Sequence, residues 1–274
     1  MLKDLFGKNA SEVLNKKLWL FDMDGTIYKD NFLFPGVIQL LDYIKNNGGE
    51  YVFITNNSSK SVEDYIKKVN CLGIKASRTN FFTSSEATII LLKEKYPGAK
   101  VYCQGTRSLI DELKNNGIDT TEEIEDDVDL ILVGFDTELT SQKLRNTCEI
   151  LNRDLPYYAT NPDLVCPTYF GFIPDCGSIC QILFNATGKK PIYVGKPEAT
   201  MVDVVRKKFG NSKSETIVIG DRLYTDIAAG LNAGVCSVCV LSGEATINEI
   251  NKSLFKPDFV FDSVASIITN GVLK

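Results

Sequence analysis

The chain has 274 residues, 44% of them apolar and 24% charged, so it can bury one large core or two modest ones without disulfide staples. A net charge of −5, with no dense Lys/Arg stripe interleaved with aromatics, argues against nucleic acid as a partner, and no apolar run approaches the roughly 20 residues that span a bilayer. There is no His, which excludes His-ligated zinc and Ser-His-Asp triads and leaves acid, base and metal chemistry to carboxylates, Lys, Tyr, Cys and backbone groups.

Met1 to Lys17 mixes acids among its Lys residues and lacks an apolar signal-peptide core, so a cytoplasmic location is expected, with no membrane anchor. The predicted elements then alternate. A strand over Leu18 to Phe21 precedes a helix over Val37 to Asn46, a strand over Tyr51 to Ile54 and a helix over Ser61 to Val69. A helix over Ser85 to Lys95 leads to a strand over Val101 to Cys103, a helix over Ser108 to Asn115 and a strand over Leu130 to Gly134. A helix over Ser141 to Asn152, a strand over Tyr157 to Thr160, a helix over Ile179 to Thr187, a strand over Ile192 to Val194 and a helix over Ala199 to Phe209 follow. The series closes with a strand over Thr216 to Ile219, a helix over Asp226 to Asn232 and a strand over Ser237 to Leu241. Short apolar runs separated by helical periodicity are the pattern of a parallel sheet with crossover helices, so the fold class is α/β. The eight Cys are scattered, many in these apolar runs, and read as free, buried thiols.

Three strands end directly in polar clusters: Asp22-Met23-Asp24-Gly25-Thr26, Thr55-Asn56-Asn57, and Gly220-Asp221-Arg222. Ligands of open α/β sheets bind outside the carboxyl ends of strands, so these clusters are expected to converge on one crevice. The block from about 97 to 190 has its own strand and helix alternation, adequate for an inserted domain. The expected organisation is a core of residues 1–96 and 191–274 carrying an α/β cap of residues 97–190.

Asp22 and Asp24 flank Met23 at a strand end, and strand alternation points both the same way until the chain turns at Gly25, so two carboxylates are expected to share one site. A divalent cation would offset their repulsion and screen an incoming phosphate dianion. The string alone is equally compatible with a polar turn. Thr55, Asn56 and Asn57 offer a hydroxyl and backbone N–H groups, with Ser58 and Ser59 as N-caps for the next helix: a phosphate cradle, or capping without a ligand. Lys196, after a strand and before Pro197, can neutralise phosphate charge, although an isolated Lys is usually a solvated surface residue. Asp221 and Asp226 suit Mg²⁺, with an N-cap as the competing role for Asp226.

Together and in this order, these four elements resemble the haloacid dehalogenase superfamily of phosphatases. Ala159-Thr160-Asn161-Pro162-Asp163, Cys176-Gly177-Ser178, Tyr193-Val194-Gly195-Lys196-Pro197 and Gly220 to Asp226 are similar to its NagD-like or p-nitrophenyl phosphatase branch, over nearly the whole chain. The resemblance implies a Rossmann-like core and hydrolysis of small phosphomonoesters through an aspartyl phosphate. It implies that Asp22 is the nucleophile and Asp24 the acid and base. By the same resemblance Thr55, Asn56, Asn57 and Lys196 are expected to hold phosphate, and Asp22, the Asp24 carbonyl, Asp221 and Asp226 to hold or support Mg²⁺. Specificity is expected in the cap, in the loop from Asn161 to Thr168, where Cys166 stands at the position of a His in some relatives, and in the neighbouring Tyr169 to Ser178; the cap is also implied in a possible homodimer. Receiver modules share an acidic cluster, a Thr and a Lys around an acceptor Asp, but need no acidic helper two residues later; Asp24 favours turnover.

Overall fold

The structure, a computed structural model, describes residues 1–58, 62–168 and 170–271. The chain forms two compact units, one of Met1–Thr55, Ile66–Phe82 and Lys196–Lys274, the other of Asn56–Tyr65 and Thr83–Gly195.

The first unit is built on a six-stranded sheet ordered Phe259–Phe261, Cys236–Val240, Thr216–Gly220, Leu18–Phe21, Glu50–Thr55, Phe81–Thr83. Leu18–Phe21 pairs in parallel with Thr216–Gly220 on one side and Glu50–Thr55 on the other. All four of its residues are buried, as expected of a strand covered on both faces. Alternation puts Trp19 and Phe21 on one face, where Phe21 meets Phe53 and Phe53 meets Phe81 at ring-centroid distances of 6.5 and 5.3 Å. The chain runs outward from Leu18–Phe21 in opposite directions, which makes its carboxyl end the topological switch point of the sheet.

The second unit has its own five-stranded parallel sheet, ordered Ile192–Tyr193, Tyr157–Ala159, Leu130–Val133, Lys100–Gln104, Asp119–Thr121. Its core packs Ile131, Val133 and Tyr157 against Ile150, Ile179 and Leu183 of the Ser141–Leu151 and Cys176–Thr187 helices. The unit extends beyond the predicted 97–190 at both ends. The Ser84–Lys95 helix, capped by a Thr83–Glu86 box, belongs to it, with Lys95 Nζ donating to Tyr158 Oη at 2.8 Å. Ile192–Tyr193 belongs to it because it pairs with Tyr157–Ala159.

The predicted strands and helices recur with ends shifted by a few residues, whereas some short strands, among them Phe81–Thr83, Phe259–Phe261 and the Val165–Thr168 and Gly171–Pro174 hairpin, were not expected. Such short segments carry too few alternations to stand out from loops. The Ser58 hydroxyl accepts the Phe135 N–H at 3.2 Å and shares a hydrogen bond with Thr160 at 3.1 Å. The expected cap Ser59, the helix start at Ser61, and Tyr169 lie outside the described residues. All eight Cys are free, four of them buried. Cys236 and Cys239 have a Cys-x-x-Cys spacing but stand on one strand, where residues three apart point to opposite faces. Among the described residues no helix is long and apolar enough to cross a membrane.

Candidate active site

At the carboxyl end of Leu18–Phe21 the ladder continues one step, with the Asp22 N–H donating to Ile219 O at 2.9 Å, and then the chain turns. The Met23 carbonyl accepts the Ile27 and Tyr28 N–H groups, and Gly25 takes a φ of +87° that other residues rarely adopt. Asp221 follows Thr216–Gly220 directly, and Asp226 lies in a π-helical turn, Leu223–Ile227. Asp226 is therefore not an N-cap; its Oδ2 accepts the Arg222 N–H at 3.1 Å. One carboxylate oxygen from each of Asp22, Asp221 and Asp226 falls within 4.8 Å of the others.

Lys196 joins this group from 174 positions away in the chain. Its Nζ donates to Asp22 Oδ1 at 2.6 Å, to Asp226 Oδ1 at 2.7 Å and to the Ile54 carbonyl at 3.3 Å. An ammonium has three protons to donate, and each of these three partners is an acceptor. The Lys196 and Asp226 side chains are 3% and 1% exposed, while Asp22 keeps 16%, so Asp22 is the carboxylate of this pair open to a substrate. Asp221 is buried, accepting from Thr26 Oγ1 at 3.1 Å and from the Glu244 N–H at 2.8 Å. Glycines make this crowding possible: a Cβ on Gly25 or Gly243 would land on the Asp221 carboxylate, and one on Gly220 would strike Asp226.

Burial pushes the Asp22 carboxyl well above the ordinary range; Lys196 opposes this and the charges of Asp226 and Asp221 add to it. Burial and then Asp226 push Asp221 up to about 6. For Lys196 burial acts downward, but Asp22 and Asp226 outweigh it and hold the ammonium above its usual value. Three carboxylates crowded against one ammonium is an arrangement in want of further positive charge. The donor set, all hard oxygens with Asp221 oriented by Thr26 and Glu244, fits Mg²⁺.

Asp24 is placed differently from the expectation of two carboxylates in one site. Beyond the turn its side chain is 54% exposed and stands against Tyr28 and Lys68, with Tyr28 Oη donating to Oδ2 at 3.2 Å and Lys68 Nζ 3.8 Å from Oδ1. Thr55 ends the Glu50–Thr55 strand in the same unit and is buried. The remaining predicted residues lie in the second unit. Asn56 donates its amide to both oxygens of Asp163, at 3.2 and 3.1 Å, and its carbonyl accepts from Asn161 Nδ2 at 2.8 Å. Asn161 is fully buried and also accepts the Asp163 N–H at 3.0 Å, which makes it a brace between two chain segments. Asn57 Nδ2 lies 4.0 Å from Cys166 Sγ, and Cys166 is half-buried against the unit's core. Asp163, Thr26, Tyr28, Lys68 and Glu244 are given no role from the sequence; Thr26 and Asp163 carry a signal as the ends of the 22–26 and 159–163 motifs, and Tyr28, Lys68 and Glu244 carry none.

Residues 19–119 match the family model of haloacid dehalogenase-like hydrolases, and residues 193–267 match a second model of the same kind. An acid sugar phosphatase of Staphylococcus saprophyticus is 32% identical over 256 residues, covering 93% of this chain and 97% of the relative. The crystal structure of a 4-nitrophenylphosphatase from Thermotoga maritima superposes with a TM-score of 0.89 at 35% identity, covering 94% of this chain and 98% of that one. A glycerol phosphate phosphatase from Mycobacterium tuberculosis, crystallised in complex with magnesium, gives a TM-score of 0.87 at 26% identity, covering 97% of this chain and 78% of that one. The chain belongs to the haloacid dehalogenase superfamily, as a phosphoric monoester hydrolase of its NagD-like or p-nitrophenyl phosphatase branch.

Proposed function

We propose that this protein is a Mg²⁺-dependent phosphatase of small phosphomonoesters, of the sugar phosphate, nucleoside monophosphate, phosphoglycolate or p-nitrophenyl phosphate type, and that the phosphoryl group passes through Asp22 to water. The observation that carries the reading is the meeting of Asp22, Asp221 and Asp226 with a buried Lys196, leaving Asp22 the least buried member. An Asp22 oxygen attacks phosphorus and the ester P–O bond breaks as Asp24 protonates the departing oxygen. The Asp24 carboxylate then takes a proton from water, which attacks the aspartyl phosphate, releases inorganic phosphate and restores Asp22. Lys196 offsets phosphate charge throughout and favours the ionised form of Asp22 against the effect of burial. Asp22, Asp221 and Asp226, with the Asp24 carbonyl, would hold Mg²⁺, which when bound would supply the positive charge that lets a phosphate dianion approach a carboxylate.

Thr55 is assigned to phosphate, and Asn56 and Asn57, next in the chain, through backbone N–H groups, since the Asn56 amide is taken up by Asp163. Specificity is assigned to the second unit, with Cys166 and Asn57 as its substrate-binding residues and Asn161 bracing the loop. The same unit is assigned a homodimer contact, supported by the exposed Leu164, Phe170 and Phe172 at its hairpin. A cytoplasmic location accords with eight free thiols.

The test is phosphate release from p-nitrophenyl phosphate with and without Mg²⁺, beside Asp22→Asn and Asp24→Asn. Release is expected to need Mg²⁺ and to vanish in Asp22→Asn, while Asp24→Asn retains Mg²⁺ and phosphate binding but loses about 100-fold or more in turnover. Release that persists in Asp22→Asn would overturn the assignment of the nucleophile.

A further inference from the structure

Arg222 and Glu244 lie beside the carboxylate cluster, and the ligand set does not include them. The Arg222 backbone N–H donates to Asp226 Oδ2 at 3.1 Å, while its guanidinium Nε meets Glu244 Oε2 at 3.0 Å. Glu244 in turn donates its N–H to Asp221 Oδ2 at 2.8 Å, and the next N–H, of Ala245, goes to the Asp221 carbonyl at 2.9 Å. Two residues earlier Ser242 Oγ donates to the Gly25 carbonyl at 2.7 Å, in the turn that follows Asp22. One arginine thus touches Asp226 through its backbone and reaches Asp221 through a loop that its side chain pins.

We propose that Arg222 and Glu244 are positioning residues for the metal centre: their ion pair holds the Ser242–Ala245 segment so that the Glu244 N–H aims Asp221 into the cluster while Arg222 orients Asp226. The inference rests on the reading of Asp22, Asp221 and Asp226 as Mg²⁺ ligands. The pair is not there chiefly for stability, since the Glu244 side chain is 47% exposed and ion pairs so placed contribute little to folding. What depends on it is register. Asp221 packs so closely on Gly243 that no Cβ fits between them, so a small slip of the segment displaces the carboxylate. Groups that orient metal ligands typically change metal affinity by 10- to 100-fold when removed.

The test is calorimetric titration of the full chain with Mg²⁺ alone, for Arg222→Gln, Glu244→Gln and the double variant, with Asp221→Asn as reference. Positioning predicts that each single variant binds Mg²⁺ about tenfold more weakly and that the double is no worse than the singles, because both act through one segment. A purely coulombic role predicts otherwise: Arg222→Gln, having lost a cation, would bind Mg²⁺ more tightly, and the double, with net charge restored, would match the wild type. Either result would overturn the proposal. Asp221→Asn separates the two levels: if it binds Mg²⁺ normally the ligand assignment fails, whereas its failure to bind beside unaltered Arg222→Gln and Glu244→Gln sinks the positioning role alone.

Discussion

At the scale of single residues the site is a problem of charge. Asp22, Asp221 and Asp226 crowd together with Lys196 as their buried counter-ion, and removing one partner of such a group leaves uncompensated charge in a poorly solvated place. The consequence for pH follows from Asp221, raised from 3.8 to about 6 in the metal-free protein. The folded state then binds the proton more tightly than the unfolded chain, so this group stabilises the fold below pH 3.8 and that contribution is lost as pH rises through about 6. At ~1.4 kcal/mol per pH unit the loss is at most about 3 kcal/mol. Urea unfolding in EDTA should show the stability of wild type relative to Asp221→Asn falling between about pH 4 and 6, with Mg²⁺ restoring the wild type near neutrality. A difference flat across that window would remove Asp221 as the titrating group. The identities of Asp22, Lys196, Asp221 and Asp226 were legible because each stands just beyond an apolar strand, or on the turn that follows one. The position of Asp24 was not, because strand alternation ends at Asp22 and the turn at Gly25 sends its side chain to Tyr28 and Lys68.

At the scale of elements, strand ends present the reactive groups and glycines let them close up. Gly243 is the sharpest case, since a Cβ there would coincide with the Asp221 carboxylate. Gly243→Ala is expected to keep the fold at a cost of about 1–3 kcal/mol and to raise the Mg²⁺ concentration for half-maximal activity about tenfold or more, with a smaller effect on KM for the ester. Wild-type Mg²⁺ dependence in that variant would show that the segment yields without moving Asp221. Long strands and helices could be read from apolar period and length, and the Val37–Asn46 helix ends where its pattern ends. The π-helical turn at Leu223–Ile227 could not, because the residues of a helix start and of a π turn look alike until the hydrogen bonds are known.

At the scale of the whole molecule the candidate site residues are distributed over two units, each with its own parallel sheet. The first unit holds Asp22, Lys196, Asp221 and Asp226, and the second holds Asn57, Asn161 and Cys166. If the second unit governs specificity, Cys166→Ala and Asn57→Ala should change the ratio of kcat/KM between a sugar phosphate and a nucleoside monophosphate by about tenfold, with Mg²⁺ affinity unchanged. Equal effects on all esters would instead place these residues in general support of the chemistry. Its boundaries were drawn too narrowly from the sequence because the Ser84–Lys95 helix is bound to it through Tyr158, a contact across 63 positions that no local pattern announces.

The sequence by itself determined the class of protein: with no His, acid, base and metal chemistry was left to carboxylates, Lys, Tyr, Cys and backbone groups, and the carboxylates, Thr and Lys standing after apolar strands have the order of the haloacid dehalogenase phosphatases. It also determined the α/β class, since period and run length are local properties of the chain. Only the tertiary structure decided which of these groups meet. Thr26 and Asp221, 195 positions apart, touch because Leu18–Phe21 and Thr216–Gly220 are neighbours in the sheet, and strand order is set by how all the crossovers pack. For the same reason it decided that Asp24 stands apart from the cluster, that the Asn56 amide is taken up by Asp163, and that Arg222 and Glu244 pin the segment against Asp221.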